Sequence, residues 1–472
     1  MPRLGLTAAI LLAASLVPVR ADAAAGPRLE GLWRTEGYGL VLSVEGSTVT
    51  LLQTTAISCL RLDQGERVAP STYRLSDGTT TISLRVDRGR PGRGIMRAGG
   101  STGYRSMTRL RALPEPCGRK QPSGPLGTFD VFWQTFAENY PFFRRHHIDW
   151  AAARQRYRPL VTEKTLFGIL RDMIRPLHDA HTAVIAGDRV FMGQRPGTRN
   201  TTVAFGARTK AYIQRRDLHG AGRDHAAGQL TYADLPDGLG YLRVAGFYGY
   251  TDGEDLDYPA DRRALTRALD AILTPGRAPR GLVIDVRFNP GGFDALALQL
   301  ASRLTARPYV AYSKRARDDP RDPTSFTPPQ PITVTPARAH RYTGPIALLT
   351  SGTTNSAGET FTQALMDRPG GVVRIGQNTQ GVFSDVMECP LPNGWTFWVP
   401  NEEYLTREGT TFDGTGIPPD LRTPVFTPAE FAEGRDSAFD RAVAVLSKRA
   451  PSDHGAREVH AGRSSSAAWA RN

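Results

Sequence analysis

The segment Thr350-Ser351-Gly352-Thr353-Thr354-Asn355-Ser356-Ala357-Gly358-Glu359 sets a serine between two patterned stretches. Before it runs Ile346-Ala347-Leu348-Leu349, which reads as a buried strand. After it, Phe361, Ala364 and Leu365 fall at helical spacing. A serine at such a strand-to-helix turn presents its hydroxyl among unsatisfied backbone N–H groups, where the helix dipole favours negative charge. Those are the needs of an acyl-transfer nucleophile and of a site for its oxyanion. The same residues also spell a capping box, with Ser356 as N-cap and Glu359 three positions on. The segment by itself leaves both readings open.

A serine nucleophile needs a base, and histidine and lysine are the usual ones. No lysine lies between Lys314 and Lys448, so a lysine closely downstream of Ser356 is excluded by inventory. Lys314 remains a remote alternative on a predicted strand. Of nine histidines, His454 and His460 fall in a polar tail, His146 and His147 adjoin Arg144 and Arg145 on a solvated helix end, and His219, His225 and His340 lie in polar loops. His178 and His181 remain, in Leu177-His178-Asp179-Ala180-His181-Thr182, where an apolar helical stripe passes into a strand, Ala183-Val184-Ile185-Ala186. An imidazole at that junction can be held rigidly and still face a cleft. The alternative is two histidines placed at a helix C-terminus by its dipole.

An oxyanion also needs N–H donors. One is that of Ala357, the residue after the nucleophile. A second can come from Asn289-Pro290-Gly291-Gly292, which follows the apolar strand Gly281–Arg287 and precedes a helix capped by Asp294. Paired glycines allow the backbone to approach a ligand closely, although a plain glycine turn reads the same way.

These segments must be carried by a chain with several regions. Residues 1–23 read as a secretory signal: Arg3, an apolar run from Leu4 to Val19, then Ala21-Asp22-Ala23. That run falls short of the roughly 20 residues a membrane span needs, and no cysteine near the cleavage point offers a lipid anchor. Residues 27–113 alternate in short runs broken by Gly and Asp and read as a small all-β domain. Residues 114–127 form a Pro/Gly-rich linker. Residues 128–184 are helical and carry the candidate base, with Phe129, Phe132, Phe136 and Tyr140 as core residues and Asp149 as a cap. Residues 185–425 alternate strands and helices and predict an α/β core with parallel pairing. Pro392-Asn393-Gly394 marks a hairpin, residues 426–450 a final helix, and residues 451–472 a disordered tail.

Composition bounds the partners. The formal charge is +13, and only five of the 59 basic residues are lysines. The arginines are scattered rather than gathered with aromatics, which argues against a nucleic-acid groove and suits anionic cell-envelope surfaces. Cys59, Cys117 and Cys389 show no metal-ligand spacing, so no structural zinc is expected. In an exported chain Cys59 and Cys117 could pair, which leaves one thiol over.

Taken in order, His178-Asp-Ala-His181-Thr, Asp285-Val-Arg-Phe-Asn289-Pro-Gly-Gly292, Asn355-Ser356-Ala-Gly-Glu359, Gly376-Gln-Asn-Thr379-Gln-Gly381 and Asp413-Gly-Thr-Gly416-Ile-Pro-Pro-Asp420 resemble the C-terminal processing and tricorn-type serine peptidases over about 128–425. The resemblance implies a crotonase-like ββα core, no cofactor and a polypeptide substrate; the signal segment, not the resemblance, predicts export to the periplasm or the extracellular space. The processing branch places a lysine where Val382 stands here, so the likeness points to the histidine branch. It implies Ser356 as nucleophile, His181 as general base, Asp413 in the place of an orienting glutamate, and N–H groups of Ala357 with Gly291 or Gly292 as the oxyanion hole. The tricorn-type serine before the histidine is replaced by Ala180. Ser384 and Asp385 could contribute, whereas Asp285 and Arg287 read as structural. Only about 50 residues separate Ala186 from Gly240, too few for the PDZ domain many relatives insert there, so tail-specific cleavage is not implied. A ligand-binding protein on the same scaffold and an esterase-like acyl hydrolase are the alternative functions.

Overall fold

The computed structural model describes residues 29–199, 201–253, 256–276 and 278–448. The expected signal segment and polar tail lie outside the described residues.

Eight antiparallel strands, from Gly31–Thr35 to Arg105–Leu110, pair each with the next and the last with the first, closing a barrel. Its interior takes the alternate residues of each strand, among them Trp33, Leu42, Val49, Tyr73, Leu84, Met96 and Met107. Closure leaves no unpaired strand edge, the standing liability of a small sheet. A disulfide between Cys59 and Cys117 staples the barrel to the segment that leaves it, and Cys389 is buried and free.

Helices Gly124–Asn139, Trp150–Tyr157 and Leu166–Ile174 follow. The Asp149 carboxylate caps the second by accepting from Ala152 N–H at 2.9 Å. Phe132 and Phe136 face the Phe397 ring at 5.0 and 5.7 Å, so the helices rest on the hairpin Val386–Pro390 and Thr396–Pro400. That hairpin pairs in turn with Ala183–Ala186 and Arg189–Met192 in a four-stranded antiparallel sheet. A boundary at residue 184 therefore cuts through a strand. The helical region is not a free-standing unit, since barrel, helices and hairpin share one apolar core.

The remaining core is a seven-stranded sheet ordered Arg223–His225, Leu230–Leu235, Leu239–Val244, Gly281–Asp285, Ile346–Thr350, Val372–Gly376, Leu421–Arg422; the first two pairings are antiparallel and the rest parallel. Every residue of Gly281–Asp285 and Ile346–Thr350 is buried, as a sheet covered on both faces requires. Leu242, Ile284 and Leu348 point to helices Tyr258–Ile272, Asp294–Ser302 and Ala357–Met366. Tyr241, Val283 and Leu349 point to helices Val203–Arg216 and Ser437–Lys448. The single C-terminal helix expected over 426–450 is two, Pro428–Glu433 and Ser437–Lys448, because Gly434 terminates the first in a left-handed cap with φ 63°.

Candidate active site

Ser356 stands at the N-terminus of helix Ala357–Met366 with φ 51° and ψ −119°, outside the regions L-residues normally occupy. Such a conformation costs about 1–3 kcal/mol and persists only where its surroundings impose it. Here they do. Thr353–Thr354 pairs in parallel with Phe288–Asn289, and Asn355 N–H donates to the Asn289 carbonyl at 2.9 Å. The Ser356 carbonyl accepts from Glu359 N–H at 2.7 Å and Thr360 N–H at 3.0 Å. Ser356 and Glu359 make both reciprocal contacts of a capping box, although the approach of the hydroxyl to the Glu359 N–H falls short of a full hydrogen bond. The neighbouring Ser351 is committed, its hydroxyl donating to the Arg287 carbonyl at 2.6 Å.

The glycine pair lies directly against this turn. A Cβ on Gly291 would fall 2.5 Å from Ser356 Cβ, and one on Gly292 2.4 Å from the Phe247 carbonyl oxygen. Both glycines have strongly positive φ, 105° and 124°, so only glycine fits on either count. The structure separates their roles. Gly291 N–H donates to Asn289 Oδ1 at 2.9 Å and is occupied, which removes it as an oxyanion donor; its part is to leave room for Ser356. Among the described residues the N–H groups of Gly292 and Ala357 carry no hydrogen bond, and the second belongs to the open end of a helix. These two are the donors left beside the serine.

His178 and His181 divide as sharply. His178 is an exposed left-handed cap with φ 53°. His181 is 7 % exposed, its backbone fixed by Asp179 Oδ1, which accepts His181 N–H at 2.8 Å, while Asp179 Oδ2 accepts from the Tyr140 hydroxyl at 3.0 Å. Burial pushes the imidazole down to about 4, opposed by the negative charge of Asp385 and by the Ser384 carbonyl alongside the ring. Its Nδ1 is buried without a hydrogen-bond partner. The segment that lines His181 is tied to the serine turn by Glu359, which accepts from Gly381 N–H at 2.6 Å, Val382 N–H at 2.8 Å and Ser356 N–H at 3.3 Å. Arg195 holds the same segment from outside, donating to the Gln380 carbonyl at 2.7 Å.

Asp413 is not joined to this imidazole by a hydrogen bond. Its carboxylate accepts from Phe383 N–H at 3.2 Å and the Thr411 hydroxyl at 2.5 Å. Burial, with Asp179 and Glu359 near, pushes its carboxyl well above the ordinary range, which disfavours the charge it would need to support an imidazolium. Asp385 is the contrary case. Lys314 and Arg105 outweigh the cost of its burial and hold its carboxyl below the ordinary range. Asp385 is the acid whose negative charge raises the His181 imidazole.

Lys314 is unavailable as a base. It is buried with its Nζ 3.0 Å from Glu402 Oε1 and 3.3 Å from Asp385 Oδ2, and these carboxylates keep it protonated. His146 is not on a solvated helix end. It stacks on Tyr140 at 6.3 Å between ring centres, and burial lowers its imidazole to about 4. Asp285 and Arg287 belong to a buried network on the far side of the sheet, where Arg287 bridges Asp285 at 2.7 Å and Asp436 at 2.6 Å. The sequence signal for Asp385 was faint. A lone lysine inside the apolar strand Tyr309–Ala316 demands a buried counter-charge, but nothing local says which acid supplies it.

Residues 238–423 match peptidase family S41, and residues 126–175 match the tricorn protease C1 domain. These segments are thus similar to family S41 and tricorn-type peptidases, as the resemblance read from the motifs implied, and the match supports a peptidase. A search of curated proteins gave no match. Among solved structures, a putative peptidase from Parabacteroides merdae aligns over 69 % of this chain and 97 % of its own, with 23 % identity and a TM-score of 0.56. Mature CPAF aligns over 70 % and 98 %, with 15 % identity and a TM-score of 0.51. At these identities the likeness speaks for the fold alone.

Proposed function

We propose that the chain is an exported serine-type peptidase that cleaves peptide bonds through an acyl-enzyme on Ser356, with His181 as general base and the N–H groups of Gly292 and Ala357 as the oxyanion hole, on a core of the crotonase-like kind. The observation that carries this reading is the strained turn at Ser356, pressed against Gly291 with two unpaired amide donors beside it. A cap requires neither the strain nor the second donor.

In the reaction His181 takes the Ser356 proton as the hydroxyl attacks the peptide carbonyl. The developing oxyanion is received by Gly292 and Ala357, each donor being worth roughly 2.7–4 kcal/mol. The imidazolium then protonates the leaving amine, and water attacks the ester with His181 again as base. Hydrogen bonds between nucleophile and base commonly tighten only when substrate binds. The Ser384 carbonyl holds the ring and Asp385 supplies the charge that favours its protonated form, which is the part the resemblance gave to Asp413. The Cys59–Cys117 disulfide supports export, since such bonds persist in oxidising compartments. Among the described residues no helix is long and apolar enough to cross a membrane.

A fluorophosphonate probe tests the assignment. The native chain labels, Ser356→Ala does not, and a proteome-derived peptide pool is cleaved only by the native chain. Equal labelling of the two would remove Ser356 as nucleophile. Labelling without cleavage of any peptide would move the activity to esters.

A further inference from the structure

The barrel meets the site through the turn between its last two strands. Gly100 lies flat on Phe293, where a Cβ would fall 2.2 Å from the ring, and its carbonyl accepts from Ala295 N–H at 2.9 Å. Phe293 directly follows the oxyanion glycine Gly292, and Ala295 belongs to the first turn of the helix those glycines lead into. That N–H is one of the donors a helix start leaves unpaired, and the barrel satisfies it.

One residue on, the Ser101 hydroxyl and the Arg105 guanidinium both face the Asp385 carboxylate. Arg105 is seated over the Tyr38 ring at 4.2 Å, and the Tyr38 hydroxyl donates to Glu402 Oε1 at 2.5 Å. Glu402 Oε2 accepts Asp385 N–H at 3.2 Å, and Glu402 shares Lys314 with Asp385. The cluster therefore sets two carboxylates, Asp385 and Glu402, against two cations, Lys314 from the core and Arg105 from the barrel. Without the barrel's cation one lysine would serve two carboxylates in a partly desolvated setting, and one carboxyl would take up a proton. Asp294, Tyr312 and Tyr404 also face Asp385, from the helix after the oxyanion glycines and from two core strands, and none of them is a cation.

We infer that the N-terminal barrel is a working part of the catalytic centre, in which Arg105 and Ser101 are positioning residues that hold the Asp385 carboxylate beside His181. The inference rests on the Ser356–His181 reading above and adds to it that the charge behind the base is delivered by a separate domain.

The test uses the full chain and a fluorophosphonate probe, with a cleavable reporter peptide as second readout and Ser356→Ala as blank. Arg105→Gln slows inactivation about tenfold at neutral pH and lowers kcat with little change in KM. Its acid limb moves to higher pH, because the Asp385 carboxyl, released from a cation, takes up its proton sooner. Arg105→Lys recovers most of the loss. Should Arg105→Gln fail to fold by circular dichroism, Ser101→Ala, which removes one hydroxyl, carries the test with an effect of about threefold in the same direction. A native chain that labels while these variants match it at every pH overturns this inference alone. A native chain that does not label overturns the nucleophile assignment and this inference with it.

Discussion

The two halves of the site are built in opposite ways. The oxyanion half is nearly local: Asn289 to Gly292 and Thr353 to Ala357 are short runs, each following a strand of the parallel sheet, joined by one pairing of two residues with two and one hydrogen bond from Asn355 to Asn289. Its donors are backbone groups whose positions follow from φ and ψ. The base half is assembled from afar. His181 leaves the helical region, Ser384 and Asp385 precede a hairpin, Lys314 and Glu402 come from the antiparallel pair Tyr309–Ala316 and Glu402–Leu405, and Arg105 comes from the barrel. A backbone site can be specified by a motif a few residues long. A site that depends on a charge needs its counter-charges, and those come from wherever the fold can bring a cation.

The harshest test of both halves is removal of the reacting groups. Ser356→Ala and His181→Ala each lower kcat by up to about 10⁶-fold with the fold intact by circular dichroism; near-native turnover in His181→Ala would empty the base half of its central residue. Next comes the backbone. Gly292→Ala must displace the Phe247 carbonyl and costs about 10²–10³ in kcat as its donor moves. A Gly292→Ala variant with native kcat would show that its N–H is not an oxyanion donor. The acids then separate the halves more finely. Asp385→Asn lowers kcat about 10–100-fold, whereas Asp413→Asn, at a carboxyl that hydrogen-bonds Phe383 N–H and the Thr411 hydroxyl rather than the imidazole, stays within about threefold; the reverse order would return the orienting role to Asp413. The pH profile sharpens this. His181 is held near 4 and is a competent base only above its pKa, so kcat/KM holds through pH 6.5 and falls as pH approaches about 4. Because the charge of Asp385 raises the imidazole, Asp385→Asn moves that limb lower still. A limb near 6.5 in the native chain would mean that the ring is solvated. The smallest effect on turnover is that of the barrel staple. Replacing Cys59 and Cys117 by serine lowers stability by about 2–4 kcal/mol in a denaturant titration, with labelling of Ser356 retained while the chain stays folded.

How much of this was legible follows the same division. The strand-turn-helix units around Ser356 and around Gly291-Gly292 could be read because apolar runs, paired glycines and a capping pattern all act within a few residues. Asp149 as a cap, the hairpin at Asn393-Gly394 and the core aromatics of the first helix were readable for that reason too. Which glycine keeps a free N–H was not, since it turns on the Asn289 side chain folding back onto Gly291. His146 looked solvated because its own neighbours are arginines, and Gly414 and Tyr140, which cover it, are distant or out of phase in sequence. Asp413 and Asp385 are the same residue type, and no local pattern tells a carboxyl pushed above its ordinary range from one held below it.

The amino-acid sequence alone determined which residues could react and which backbone turns would hold them, because propensity, periodicity and glycine stereochemistry are short-range effects. The tertiary structure decided which acid bears the charge behind the histidine and that the barrel takes part in holding it there. Ionisation in a protein interior is set by desolvation and by the nearest opposite charge, and both are fixed only once distant segments have packed together.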